Sequence, residues 1–230
     1  MVMFIVGHRG ARALEPENTL RAVRRGMGCA DYVEVDARLS RDGIVVVIHD
    51  PTIDRTTDGK GEVKDYPFLA LRGFDAGQGE RIPTLDKVSR EVKGTCGLFV
   101  EIKEKGSEKV ICHIIRESGL SDVYFVSFHP ESLTRVAALL PGARRGLIFS
   151  KDTEESFARA LEMKVQAILP KFTLLAGELV GRAHKEQIQV IPWTLNSEPE
   201  FEAAERLGVD GFATDDPCRA RAFFKELRRT

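Results

Sequence analysis

Short apolar runs rich in β-branched residues alternate along this chain with stretches whose apolar residues recur every three or four positions. The first kind of run suits buried strands and the second suits helices packed by one face. Strand-like runs occur at Val2–Val6, Tyr32–Leu39 and Ile44–Asp50, then at Leu98–Lys103, Val123–Phe128, Arg144–Ser150, Val165–Pro170, Gln189–Thr194 and Asp210–Asp215. From Leu98 onward the runs begin about every 21 to 25 residues. Helical patterns fill the gaps: residues 107–118, 131–140, 153–162, 178–187 and 198–208. Two further helices are predicted near the start of the chain, over 20–28 after a cap at Thr19 or Asn18, and over 84–93.

Strands alternating with helices mean βα units and a parallel sheet. Eight such strands in ~200–250 residues is the size of a (β/α)₈ (TIM) barrel. A doubly wound open sheet would want a glycine-rich phosphate turn after the first strand, and Gly7-His8-Arg9-Gly10 is not that turn. Ile44–Asp50 is a ninth run. The turn signal Ser40-Arg41-Asp42-Gly43 makes it the return arm of a β-hairpin rising from the second strand. Periodicity then breaks down over residues 51–83, rich in Gly, Asp, Thr and Pro, with one short helical turn near Phe68–Leu71. The expected organisation is a single barrel domain over residues 1–230, with a small insertion of about 51–83 before the third barrel strand. A loop this long inside a compact domain is usually functional.

The hairpin carries the chemistry that the apolar pattern does not explain. Glu34, Asp36 and His49 interrupt runs that otherwise read as buried strand. Cross-strand neighbours lie ~4.5–5.5 Å apart, so the two arms can bring these groups together. Two carboxylates and an imidazole in one half-buried place are unfavourable without compensation. Active sites of these barrels lie at the C-terminal ends of the strands. Polar residues do gather there: His8 and Arg9, Glu34 and Asp36, Glu101 and Lys103, Ser127 and His129, Lys171, Trp193 and Thr194, and Thr214 to Asp216.

Glu34, Asp36 and Glu101 offer an all-oxygen site for one hard divalent cation, Mg²⁺ or Ca²⁺. The competing reading makes Glu34 and Asp36 structural ion pairs with Arg9 or Lys103. His8 and His49 each follow a buried strand and suit proton transfer near neutral pH; the plain alternative is a pair of strand-end histidines bonded to backbone. Arg9 and Lys103 can hold phosphate oxygens, the first by a planar fork and the second as a point charge. Trp193 is equally a core residue and a platform for substrate. His113 and His184 fall in helical patterns, and His129 precedes a proline that can end its strand.

Composition narrows the partners. The chain has 230 residues, 43% hydrophobic, with 30% charged and a formal net charge of −1. That balance excludes a broad nucleic-acid-binding face. No segment approaches the ~20 apolar residues of a transmembrane helix, and Val2–Val6 is too short for a secretory core. Cys29, Cys96, Cys112 and Cys218 form no zinc spacing and are expected as reduced thiols in a soluble, cytoplasmic protein, whether monomer or homodimer.

Taken in order, several short motifs resemble the glycerophosphodiester phosphodiesterase family. They are His8-Arg9-Gly10, Pro16-Glu17-Asn18-Thr19, Glu34-x-Asp36, Asp42-Gly43 and His49-Asp50-Pro51. Arg55-Thr56-Thr57, Arg81-Ile82-Pro83-Thr84-Leu85, Glu101-Ile102-Lys103, Pro192-Trp193-Thr194 and Thr214-Asp215-x-Pro217 continue the match across nearly the whole chain. The resemblance implies a (β/α)₈ barrel and a divalent metal on Glu34, Asp36 and Glu101. It implies an acid–base pair of His8 and His49, with Arg9 and Lys103 on the phosphate and Glu17 and Asn18 behind them. The reaction it implies is hydrolysis of a small-molecule glycerophosphodiester, such as glycerophosphocholine or glycerophosphoethanolamine, to sn-glycerol 3-phosphate and an alcohol.

Three alternatives have their own signatures. A lysophospholipase D-type phosphodiesterase would need an apolar entry for an acyl tail, for which the insertion offers Tyr66, Phe68, Leu69, Leu71 and Phe74. A phosphate-binding scaffold on a degenerate barrel predicts missing catalytic groups, whereas every expected group is present. A metal-independent sugar-phosphate isomerase has no need of three convergent carboxylates.

Overall fold

The structure is a computed structural model and describes residues 3–227. Eight parallel strands form the barrel wall, in the order β8-β7-β6-β5-β4-β2-β1-β9. They are β1 (Phe4–Gly7), β2 (Tyr32–Leu39), β4 (Gly97–Ile102), β5 (Val123–Ser127), β6 (Arg144–Phe149), β7 (Ala167–Pro170), β8 (Gln189–Val190) and β9 (Gly211–Thr214). The predicted strand at Val2–Val6 is observed from Phe4, and Val2 lies outside the described residues. The seam between β8 and β9 closes through less regular bonds, Asp210 N–H to the Val190 carbonyl at 3.1 Å and Ala213 N–H to the Pro192 carbonyl at 2.9 Å. β8 is shorter than the predicted 189–194 because Pro192 has no N–H to give to a ladder.

The helices follow the strands: α1 (Leu20–Met27), α3 (Leu85–Val92), α4 (Glu108–Ser118), α5 (Pro130–Leu139), α6 (Thr153–Glu162), α7 (Gly177–Lys185), α8 (Glu198–Leu207) and α9 (Pro217–Leu227). Only α9 had no prediction. Thr19 caps α1, its hydroxyl accepting from the Ala22 N–H, and Thr84 caps α3 in the same way. Asn18, the other candidate cap, turns inward at φ 60°. Asn is among the few side chains that tolerate this left-handed conformation.

Alternation along each strand divides its side chains between two cores. Val33, Val35 and Ala37 of β2, with Leu98, Val100 and Ile102 of β4, face the helices. Tyr32, Phe99, Tyr124 and Phe4 face the barrel axis, where the Phe99 and Tyr124 rings stack at 4.5 Å. The same period of two sends Glu34, Asp36 and Glu101 inward, above this aromatic floor.

The hairpin forms as predicted. β3 (Val45–Val47) pairs antiparallel with Ala37–Leu39, through a turn in which Gly43 takes φ 76°. The insertion contains the short helix α2 (Phe68–Leu71). Leu71, with Tyr66, Phe68 and Phe74 partly buried against it, packs with Ile48, Ile53, Val63 and Ile82 into a small core of the insertion's own. Leu69 alone among those five is strongly exposed, at 76%.

The expectation of four reduced cysteines is corrected at one pair. Cys29 and Cys218 form a disulfide across a separation of 189 residues, with Cα atoms 4.8 Å apart. The unpredicted α9 packs beside β1 and carries Cys218 to the linker between α1 and β2; no local spacing could reveal that. Arg221 reinforces the contact by donating to the Cys29 carbonyl at 2.8 Å. Cys96 and Cys112 remain free, and burial pushes each thiol pKa up to about 11. Among the described residues no helix is long and apolar enough to cross a membrane.

Candidate active site

The parallel register of β2 and β4 sets Asp36 beside Glu101, with Glu34 one inward step below on β2. One oxygen from each of these three buried carboxylates lies within 4.8 Å of the others. Two cations share the space. Lys103 Nζ donates to Glu101 Oε1 at 2.6 Å and stands 3.4 Å from Asp36 Oδ1. The Arg9 Nε stands 3.4 Å from Asp36 Oδ2, and the Arg9 backbone N–H donates to Glu34 Oε2 at 2.9 Å.

The structural ion-pair reading is therefore partly right, but these pairs do not exhaust the carboxylates. Three acids face two cations, and Glu34 Oε1 and Asp36 Oδ1 are buried without a hydrogen-bond partner. A buried acceptor left unpaired is unfavourable by about 1–3 kcal/mol, more when charged. Carboxylate oxygens without a hydrogen-bond donor, gathered in an all-oxygen cluster, are the donor set of a hard divalent cation, so the residues fit such an ion. The electrostatics agree. Burial, then Asp36 and Glu101, hold the Glu34 pKa well above the usual carboxylate range. Burial and Asp36 push Glu101 up to about 7. Burial also opposes ionisation of Asp36, but Lys103 and Arg9 outweigh it and keep its pKa low.

The backbone that presents Arg9 is tightly built. Arg9 has φ 51° and Gly10 φ 86°. A Cβ on Gly10 would sit 2.4 Å from the backbone of Ala22, because α1 crosses directly beneath the loop. Asn18 acts from the same loop: its Nδ2 donates to Asp36 Oδ2 at 2.8 Å and its Oδ1 accepts the Asp36 N–H at 3.2 Å. Glu17 accepts from Arg9 Nη1 at 2.7 Å. Asn18 thus touches the cluster directly, and Glu17 touches it through Arg9.

His8 follows β1 and His49 follows β3, and both strands are bonded to β2. Each imidazole has a carboxylate at Nδ1. His8 Nδ1 is 2.7 Å from Asp215 Oδ1, and His49 Nδ1 is 2.6 Å from Asp50 Oδ1. An ionised carboxylate only accepts, so Nδ1 carries the proton and Nε2 is left for other chemistry. Burial lowers the His49 pKa against the pull of Asp36. Asn196 Nδ2 holds the other oxygen of Asp215 at 3.0 Å.

Trp193 is held in the interior core at the edge of the mouth. Its Nε1 donates to the Leu169 carbonyl at 2.9 Å, its ring packs on the interior core, and Phe128 meets it edge-on at 5.6 Å. Phe128 is 40% exposed, so this side of the mouth is apolar. His113 and His184 lie on α4 and α7, outside the cluster.

The family model for the glycerophosphoryl diester phosphodiesterase family matches residues 8–219. The chain belongs to this family of phosphoric diester hydrolases. It is 36% identical over 233 residues to a glycerophosphodiester phosphodiesterase of Caldanaerobacter subterraneus, covering 94% of this chain and 96% of that protein. Among solved structures it is similar to an Oleispira antarctica phosphodiesterase in complex with the product sn-glycerol-3-phosphate: TM-score 0.91, 26% identity, 96% of each chain. The glycerophosphodiester phosphodiesterase of Thermotoga maritima matches with TM-score 0.85 at 26% identity over 99% of each chain.

Sequence reasoning assigned no role to Asp50, Arg55, Asn196 or Asp215. Asp50, Arg55 and Asp215 belong to the short motifs His49-Asp50-Pro51, Arg55-Thr56-Thr57 and Thr214-Asp215-x-Pro217, but the partner each one meets is visible only in three dimensions.

Proposed function

We propose that this protein hydrolyses glycerophosphodiesters, glycerophosphocholine and glycerophosphoethanolamine among them, to sn-glycerol 3-phosphate and a free alcohol. One observation carries the reading: two histidines, each backed by a carboxylate, just past the ends of strands bonded to the one that bears Glu34 and Asp36. One histidine takes the proton of the attacking hydroxyl as its oxygen bonds to phosphorus: water gives sn-glycerol 3-phosphate directly, whereas the glycerol 2-hydroxyl gives a cyclic phosphate that water must then open by the same pair of proton transfers. The other protonates the alcohol oxygen as its bond to phosphorus breaks. Arg9 and Lys103 balance the growing charge on the non-bridging oxygens. Glu34, Asp36 and Glu101 hold one Mg²⁺ or Ca²⁺, which when bound supplies Lewis-acid polarisation of the phosphoryl group. Trp193 lines the apolar side of the mouth. The whole chain acts as one barrel unit, with the insertion of about 51–83 beside the substrate entrance.

The test is turnover of a glycerophosphodiester panel by the purified protein, with chelator and with Mg²⁺ or Ca²⁺ restored, and with lysophosphatidylcholine as the competing substrate. Activity that survives exhaustive chelation, or faster turnover of the lysolipid, overturns this reading. It keeps the enzyme in the cytoplasm, and the Cys29–Cys218 bridge is the observation that opposes this. Alkylation of free thiols in fractionated cells tests that point.

A further inference from the structure

Arg55 belongs to the insertion, and its side chain is 47% exposed. An arginine in that setting with one partner would be a surface ion pair worth little. Its guanidinium instead divides its donors between two carboxylates. Nε donates to Asp50 Oδ2 at 2.6 Å and Nη2 reaches Asp50 Oδ1 at 3.2 Å. Nη1 and Nη2 donate to the two oxygens of Glu17 at 2.9 and 2.8 Å.

Neither carboxylate ends there. Asp50 Oδ1 is the atom at 2.6 Å from His49 Nδ1, and Glu17 Oε1 is the atom at 2.7 Å from Arg9 Nη1. An unbroken chain therefore runs His49–Asp50–Arg55–Glu17–Arg9, with Arg55 at its centre. We propose that Arg55 is a positioning residue: one guanidinium holds both the carboxylate that orients His49 and the carboxylate that aims Arg9, and so keeps a proton-transfer group and a phosphate-binding group in register. The inference rests on the roles given above to His49 and Arg9.

The physical case is one of geometry and rotamer freedom. A fork that engages two oxygens of each partner removes the rotation that a single bond leaves open. Lysine, a point charge on a flexible stem, cannot bridge two carboxylates in this way. Without Arg55, Asp50 keeps only the imidazole and Glu17 only Arg9, and both pairs gain rotamers. Glu17 is itself largely buried, at 13% side-chain exposure, so its charge depends on these two arginines. A residue that merely fastened the insertion to the barrel would affect stability and leave the tautomer of His49 unchanged.

The experiment uses the full chain with Arg55→Ala, Arg55→Lys, Asp50→Asn and Glu17→Gln, glycerophosphocholine as substrate, thermal unfolding as the fold control and ¹⁵N spectra of the His49 ring. Arg55→Ala is expected to lower kcat/KM by about 10- to 100-fold, through both parameters, and to lose the pure Nδ1–H tautomer of His49. Asp50→Asn takes the kcat share and Glu17→Gln the KM share. Added guanidinium restores part of the activity of Arg55→Ala, and Arg55→Lys recovers little. Wild-type turnover and tautomer in Arg55→Ala overturn the proposal. So does a loss of activity that follows the unfolded fraction alone, without guanidinium rescue. A wild-type protein inactive on every glycerophosphodiester, whose His49 tautomer still depends on Arg55, overturns the functional reading and leaves the positioning chain supported.

Discussion

Replacing Glu101 by Gln should stabilise the metal-free protein while abolishing its response to divalent cations. Glu101 is 8% exposed and lies against two other buried carboxylates. Raising its pKa from the ordinary 4.5 to about 7 corresponds to about 3 kcal/mol, at ~1.4 kcal/mol per pKa unit. The sign follows from proton linkage. The folded protein holds the Glu101 proton more tightly than the unfolded chain, so folding takes up a proton between roughly pH 4.5 and 7. Stability on this account is greatest below 4.5, falls as pH rises through that window, and is level above 7. Gln carries no charge and can still accept from Lys103. In chelator the difference between Glu101→Gln and wild type should therefore grow by about 3 kcal/mol across the window. Urea unfolding at several pH values between 4.5 and 8 measures it, and comparison with wild type cancels the titrating groups remote from this cluster. Saturating Mg²⁺ or Ca²⁺ should then raise the wild-type unfolding free energy, by about 2.7 kcal/mol at a hundredfold excess over Kd, and leave the variant nearly unmoved. A difference that is flat with pH, or a cation response that survives the substitution, would refute the account of Glu101 as an undercompensated buried charge.

Other consequences are equally direct. His8→Ala and His49→Ala should each lower kcat about 10²- to 10⁴-fold with the thermal midpoint retained, measured by release of alcohol from glycerophosphocholine; full activity in either removes that histidine from the mechanism. Thiol titration of the denatured, unreduced protein should find two thiols per chain, Cys96 and Cys112, and breaking the Cys29–Cys218 bridge should lower stability by about 4 kcal/mol; four thiols before reduction would remove the bridge. Gly7→Ala should destabilise by about 1–3 kcal/mol and depress activity too, because its Cβ would stand 2.1 Å from the Gly10 carbonyl and displace the loop that carries Arg9; wild-type kinetics in that variant would show that the loop is not held by this contact.

The barrel was legible in the sequence because its signals are local. A strand buried on both faces must be apolar, and a helix that covers it must repeat its apolar residues every three to four positions. That is why Thr153–Glu162 is observed with its predicted bounds and why the hairpin turns at Gly43. Two elements escaped for different reasons. β8 is cut short where Pro192 removes a donor, and α9 follows the last strand, beyond where the alternation was followed.

The candidate site divides along the same line. Period-two alternation tells which residues of a strand share a face, so Glu34, Asp36, Glu101 and Lys103 were identifiable as charges out of keeping with their apolar neighbours. Alternation says nothing of which strand lies next to which, or in what register. Only the tertiary structure set Asp36 beside Glu101, turned Asn18 from helix cap to partner of Asp36, and backed His8 with Asp215, 207 residues away. The Cys29–Cys218 pairing and the double grip of Arg55 are of the same kind. Each depends on how the strands, helices and loops are laid side by side, which brings into contact groups that no local pattern relates. The sequence by itself determined which charged residues stand out from an apolar pattern, since a buried charge contradicts its surroundings wherever it stands; the fold decided their partners, because partnership is a property of distance in space.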